Sequence, residues 1–231
     1  MKTFKNLLAV LVISFLYINC YSQDYVTQTK ESQSKMTPQT ALQMLKDGND
    51  RFVSGKTINR DLGNQVKETS KGQYPFGTVL SCIDSRSPSE FVFDQGIGDI
   101  FNARIAGNIV DEDILGSLEF ASKILGSKLI LVVGHSDCGA IKGACDDAKL
   151  GNVTALLDKI KPAVDAVSSD NSDRTSKNKE FVEKVAKENV MLAIKNLTDR
   201  SQVLKEMVEK GEIIIVGGMY NVENGKVTFY E

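Results

Sequence analysis

The sequence predicts an α/β fold: a central, mostly parallel β-sheet of about four parallel strands plus a C-terminal edge strand, flanked by helices, with an N-terminal helical arm. Three observations predict it. Short runs rich in β-branched residues, Thr78-Val79-Leu80 and Leu129-Ile130-Leu131-Val132-Val133, end at Ser or Gly, as strands buried on both faces do. Between and after them stand longer segments of helical period, of which Glu180 to Leu197 is the clearest, with Val182, Val185, Val190 and Ile194 among its apolar positions. Near the C-terminus, Asn224-Gly225 is a hairpin turn signal.

In chain order, Lys2 and Lys5 form a basic leader followed by an apolar run from Leu7 to Ile18, too short for a comfortable membrane span and of the length of a secretory core. Cys20 and Ser22 are small residues placed for cleavage after Ser22. Residues 1–22 therefore read as a signal peptide, and the protein as exported, with the periplasm as its destination. Lipidation at Cys20 is the alternative and the one route to a membrane, although Tyr17-Ile18-Asn19 fits it poorly. Residues 23–36 are polar and without period, which predicts a flexible mature N-terminus. Residues 37–231 read as a single domain.

Thr37-Pro38 is a side-chain cap followed by proline at the first helical position, and Leu42, Leu45 and Phe52 give that helix an apolar face. It packs either on its own sheet or on a partner. Lys56 to Lys71 is a polar loop with helix from Asn64 to Ser70. Ser87-Pro88-Ser89-Glu90 is a turn that starts a short helix, and Ile100 to Arg104 is the second strand. Asp111 to Leu125 reads as a helix with an acidic start and Gly126 at its end. Helices follow over Cys138 to Ala148, over Asn152 to Val167 with Pro162 starting or kinking part of it, and over Ser201 to Lys210. Ser168 to Lys179 is a surface loop. Glu212 to Gly217 and Lys226 to Tyr230 are the last strands.

The 231 residues, less a leader, suffice for one α/β domain with a full core, and a net charge of −2 gives no electrostatic reason to expect nucleic acid or a membrane surface as partner. Cysteine use in an exported chain raises the possibility of a disulfide among Cys82, Cys138 and Cys145. The surroundings favour metal instead. Ser81-Cys82-Ile83-Asp84-Ser85-Arg86 follows the first strand, and Gly134-His135-Ser136-Asp137-Cys138-Gly139 follows the third. Both lie at carboxyl strand ends, where α/β sheets gather ligands. His135 is the only histidine, and with Cys82 and Cys138 it makes the two-sulfur, one-nitrogen set that tetrahedral zinc accepts with one position open for water. A disulfide leaves the adjacent His135, Asp84 and Arg86 without a purpose. Cys145 reads as a buried helix residue.

Cys-x-Asp-x-Arg followed by Gly-His-Ser-x-Cys-Gly-Ala resembles the β-class carbonic anhydrases. Phe93 to Phe101, Arg104 to Asn108, Val216 to Tyr220 and Gly225 to Val227 agree block by block, so the resemblance runs from about Thr37 to the C-terminus. It implies an enzyme that catalyses the reversible zinc-dependent hydration of carbon dioxide to bicarbonate, one Zn²⁺ per chain on Cys82, His135 and Cys138. It also implies Asp84 and Arg86 as the catalytic pair, and a substrate pocket built from Gln73, Phe101, Phe120 and Gly139. Phe120 stands where many relatives carry tyrosine, and Ala106 where a branched residue is common. Gln73 and Phe101 are implied at a subunit boundary, hence a homodimer or dimer of dimers.

Zinc lowers the pKa of a coordinated water from about 15.7 to roughly 7, and the resulting hydroxide attacks CO₂. Asp84, held by Arg86, is placed to accept a hydrogen bond from that water. Two other readings use the same residues. In one, Asp84 is a fourth ligand and the site is closed and non-catalytic. In the other, Cys82 and Cys138 form a metal-free redox pair.

Overall fold

A computed structural model describes residues 25–168 and 173–230. In chain order its elements are α1 (Lys30–Lys35), α2 (Pro38–Val53), α3 (Leu62–Thr69), β1 (Gly77–Ser81), α4 (Ser89–Val92), β2 (Ile100–Arg104), α5 (Glu112–Glu119), β3 (Leu129–His135), α6 (Gly139–Cys145), α7 (Gly151–Asp158), α8 (Lys161–Ala166), α9 (Lys179–Arg200), α10 (Gln202–Glu209), β4 (Ile214–Tyr220) and β5 (Val227–Tyr230). A short 3₁₀ turn covers Ala106–Asn108, and a π-helical turn, Phe120–Ile124, ends α5.

The five strands lie in the order β2-β1-β3-β4-β5, the first four parallel and β5 antiparallel to β4. After β1 the chain builds β2 on one side, then returns to place β3 on the other. The carboxyl ends of β1 and β3 are therefore neighbours at a reversal of strand order, where α/β sheets bind ligands.

Strand alternation divides the core. Leu129, Leu131 and Val133 of β3 pack with Ala41, Leu42 and Leu45 of α2 on one face. Ile130 and Val132 pack with Val190, Ala193 and Leu197 of α9 and Leu204 of α10 on the other. A period-two strand fully buried on both sides reads in sequence as an unbroken apolar run, which is why β3 was legible.

Two open readings narrow and one expectation is corrected. The helix capped by Thr37, left open between its own sheet and a partner, packs Ala41, Leu42 and Leu45 on the sheet, and Gly48 sits so close to the end of α4 that a Cβ there would lie 1.8 Å from the Phe93 carbonyl oxygen. Asn49 adds bonds from Nδ2 to the carbonyls of Val92 and Gly225, at 3.0 and 2.9 Å. Residues 25–36, read as flexible, are ordered. Thr29 caps α1, and the buried Gln33 amide donates to the carbonyls of Pro75 and Leu125, each at 2.8 Å. Polar composition hid this, because the central anchor is the Gln33 amide, with Met36 packed on the core and Arg60 over the Tyr25 ring at either end. The helix read over 152–167 is two helices, with Pro162 in the first turn of α8, where its missing N–H costs no bond. The leader with Cys20, residues 23 and 24, and residues 169–172 of the loop read from Ser168 lie outside the described residues.

Candidate metal centre

Cys82 follows β1 directly, His135 is the last residue of β3, and Cys138 caps α6. Asp137, between the last two, adopts φ 58°, a left-handed turn that Asp tolerates better than most residues. All three candidate ligands are buried, and their ligand atoms lie within 4.8 Å of one another. His135 Nδ1 is 2.9 Å from the Ser136 carbonyl, so this nitrogen carries the proton and donates. That leaves Nε2 as a lone pair, buried and without a hydrogen-bond partner. An orphaned imidazole nitrogen facing two thiols is a poor end state for a metal-free core and the donor set that zinc takes. Zinc fits.

The two sulfurs differ. A hydrogen bond from the Cys138 thiol is the largest influence in bringing Cys82 down to about 4. Burial opposes it, and His135 and the Gly107 N–H assist. Cys138 is raised by the same contact and by burial, so Cys82 ionises first. Burial disfavours charge on His135, while the Cys82 thiolate favours it until a metal takes Nε2, so proton and metal compete for the same lone pair.

Asp84 stands beside the cluster, its Oδ2 3.8 Å from His135 Nε2. Arg86 takes both carboxylate oxygens: Nε donates to Oδ1 at 3.0 Å and Nη2 to Oδ2 at 2.8 Å, while the Arg86 backbone N–H adds 2.9 Å to Oδ1. The guanidinium is the main cause of an Asp84 pKa lowered to about 2. Arg86 also reaches Asp137 at 3.3 Å, and its carbonyl accepts from the Tyr220 hydroxyl at 3.1 Å.

Sequence reasoning missed three supports. Arg104, at the end of β2, donates to the carbonyls of Cys82 at 3.0 Å and Asp84 at 2.6 Å, pinning the loop that carries both. Ser136 Oγ accepts from the Val222 N–H, and its own N–H donates to the Tyr220 carbonyl. Gly107, in the 3₁₀ turn, donates its N–H to Cys82 Sγ at 3.4 Å. Register was the available signal for Arg104, which pairs with Ser81, the residue before Cys82.

Of the other predicted pocket residues, Gln73, Phe101 and Phe120 are not gathered at the metal cluster of their own chain, whereas Gly139 directly follows Cys138. Gln73 is exposed in the loop before β1. Phe101 lies on the outermost strand β2 and Phe120 is 54% exposed; together with Asn102, Ile114 and Ser117 they line a groove of about 680 Å³ that includes no ligand residue. Gly139 is exposed in the first turn of α6, where N–H groups have no earlier turn to satisfy them. Cys145 is outside the cluster, its thiol pushed up to about 11 chiefly by burial. Among the described residues Cys82, Cys138 and Cys145 are all unbridged.

Fold and site together define an α/β protein with a buried Cys₂His cluster that could hold a metal ion at the switch point of its sheet and a carboxylate–guanidinium pair beside it. The family model described as carbonic anhydrase matches residues 77–227. Carbonic anhydrase 2 of Mycobacterium tuberculosis is 34% identical over 195 residues, 82% of this chain and 91% of that protein. The β-carbonic anhydrase CafA of Aspergillus fumigatus superposes with a TM-score of 0.62 at 27% identity, over 73% of this chain and 81% of that one. One of two tetrameric β-carbonic anhydrases of Sordaria macrospora gives 0.61 at 25% identity, over 72% and 89%. The chain belongs to the β-carbonic anhydrase family.

Proposed function

We propose that the protein holds one zinc ion on Cys82, His135 and Cys138 and catalyses the reversible hydration of carbon dioxide to bicarbonate and a proton. The observation that carries this reading is the buried, unpartnered His135 Nε2 set between two thiols, with Asp84 fixed immediately beside it. Zinc bound there supplies a Lewis acid that brings the pKa of water to about 7.

The chain's own residues do the rest. Asp84 Oδ2 accepts one bond from Arg86 and keeps a lone pair for the proton of the attacking water, which orients that water's oxygen toward the substrate carbon. At a pKa of about 2, Asp84 stays ionised at neutral pH and does not carry the product proton away. The only histidine is a ligand, so the proton leaves to external buffer. The double grip of Arg86 supports an open site over one closed by Asp84 as a fourth ligand, since that move would break two charge-assisted bonds. The Gly139 N–H is offered as a donor to a substrate oxygen.

A homodimer or dimer of dimers completes the pocket. Gln73 is exposed, β2 is an outer strand, and Ile83 and Phe91 near the site are 61% and 71% exposed, an uncovered apolar surface that a second copy would bury. The two Sordaria macrospora enzymes are tetrameric, which supports assembly in this chain too. Export to the periplasm with cleavage after Ser22 rests on the leader sequence. Metal analysis of the purified protein with stopped-flow CO₂ hydration tests the activity. Metal without activity supports the closed site, and activity independent of metal overturns both zinc readings.

A further inference from the structure

On the long helix α9 the buried residues are Phe181, Val182, Val185, Ala186, Asn189, Val190, Ala193 and Leu197, and a single polar side chain, Asn189, stands among seven apolar ones. An unpaired amide there would be costly, so its partner matters. Asn189 Nδ2 donates to the carbonyl of Gly107 at 2.8 Å in a fully buried bond. Gly107 in turn donates its own N–H to Cys82 Sγ.

Gly107 is the hinge of this relay. Its φ of 68° and ψ of 17° belong to the left-handed region that glycine occupies without strain. A Cβ there would lie 2.5 Å from Ile160 Cδ1 and 3.3 Å from Ala140 Cβ, so the turn is wedged between α6 and the residue that precedes α8. Packing limits where the turn sits, and the Asn189 bond fixes the peptide that follows the Gly107 Cα. The N–H that faces the sulfur belongs to the peptide before that Cα, so the Asn189 bond acts on it by holding Gly107 at the φ and ψ that join the two.

We infer that Asn189 is a positioning residue for the metal centre, acting through Gly107 to keep a hydrogen bond on the Cys82 sulfur. The inference rests on the zinc reading above. A hydrogen bond to a thiolate withdraws charge from it and fixes its orientation, and groups that steady metal ligands in this way govern affinity. Asn189 touches neither substrate nor ligand, so its effect is on the metal centre and only through that on turnover.

The test uses the full mature chain. Wild type is first loaded with zinc and titrated against a chelator; if it takes up no zinc, the zinc reading and this inference fall together. Asn189→Leu, similar in size but without a donor, is expected to hold zinc about 10–100-fold more weakly than wild type. Leu197→Ala, a core truncation on the same helix but in a different cluster from the one that holds Cys82 and Cys138, is expected to match wild type in zinc affinity per folded chain. With cobalt in place of zinc, the thiolate charge-transfer band of Asn189→Leu should move to longer wavelength as the sulfur regains charge. Wild-type zinc affinity and an unshifted band in Asn189→Leu would overturn the inference while leaving the zinc site intact. Should Asn189→Leu fail to fold, the cadmium-substituted wild type decides by nuclear magnetic resonance. A cadmium–proton coupling at the Gly107 amide supports the relay, and its absence overturns it.

Discussion

Arg86 meets Asp84 through two guanidinium nitrogens and a backbone N–H, so one side chain sets both the position and the charge of the carboxylate. Arg86→Ala should retain zinc while lowering kcat/KM by about 10²-fold, because Asp84 is then free to turn onto the metal. Metal analysis beside stopped-flow assay checks this, and loss of zinc would contradict it. The pH dependence has a definite sign. Asp84 is held at about 2 in the folded chain, below the ordinary carboxylate value near 4. Its pairing therefore stabilises the fold above about pH 4 and is lost as pH falls toward 2. Chemical unfolding of wild type and Arg86→Ala should show a gap in midpoint at pH 6 that closes on acidification through that window. Cys145→Ser should keep its metal, whereas Cys82→Ser and Cys138→Ser should lose most of it. The Cys82, His135 and Cys138 cluster and the Asp84–Arg86 pair were legible in sequence because their spacing is local: Cys-x-Asp-x-Arg and His-x-x-Cys each fit within one turn. Arg104 and Asn189 were not, because each acts on residues far along the chain.

At the scale of elements, the strand ends are held by groups that arrive from elsewhere. Arg104 of β2 binds two carbonyls of the loop after β1. Arg104→Ala leaves those acceptors to share whatever water reaches them, at a cost of about 1–3 kcal/mol, and loosens Cys82 and Asp84 together. Thermal unfolding should show the loss, with kcat falling more than KM rises. Gly48→Ala is a purer packing test: its Cβ would sit 1.8 Å from the Phe93 oxygen, so α2 must shift, at about 1–3 kcal/mol, without touching metal affinity. The strands of the sheet could be read from apolar runs because burial on both faces leaves no polar position to confuse the pattern. Helix ends were harder. The π-turn of Phe120–Ile124 differs from an α-turn by one residue in its hydrogen bonding, as in the 3.1 Å bond from the Leu125 N–H to the Phe120 carbonyl, and composition carries no mark of it.

For the whole molecule, the groove of Phe101 and Phe120 and the exposed Gln73 lie away from the ligands of their own chain, which is where the resemblance and the protomer meet. Assembly explains both if a second copy brings these residues to the site. Sedimentation of the mature chain should give a dimer or a dimer of dimers, and a fully active monomer would contradict that. Mass spectrometry of the native protein should find its N-terminus after Ser22, against an acylated Cys20 in the lipoprotein alternative. On the proposed reading, three side chains and an Arg-held carboxylate make a carbon dioxide hydratase. Stopped-flow CO₂ hydration by the zinc-loaded mature protein, run across a range of buffer concentrations, decides it. The expected result is rapid hydration, with kcat rising with buffer as the proton leaves and kcat/KM nearly constant; a folded protein with one zinc per chain that leaves CO₂ hydration at its uncatalysed rate would contradict it.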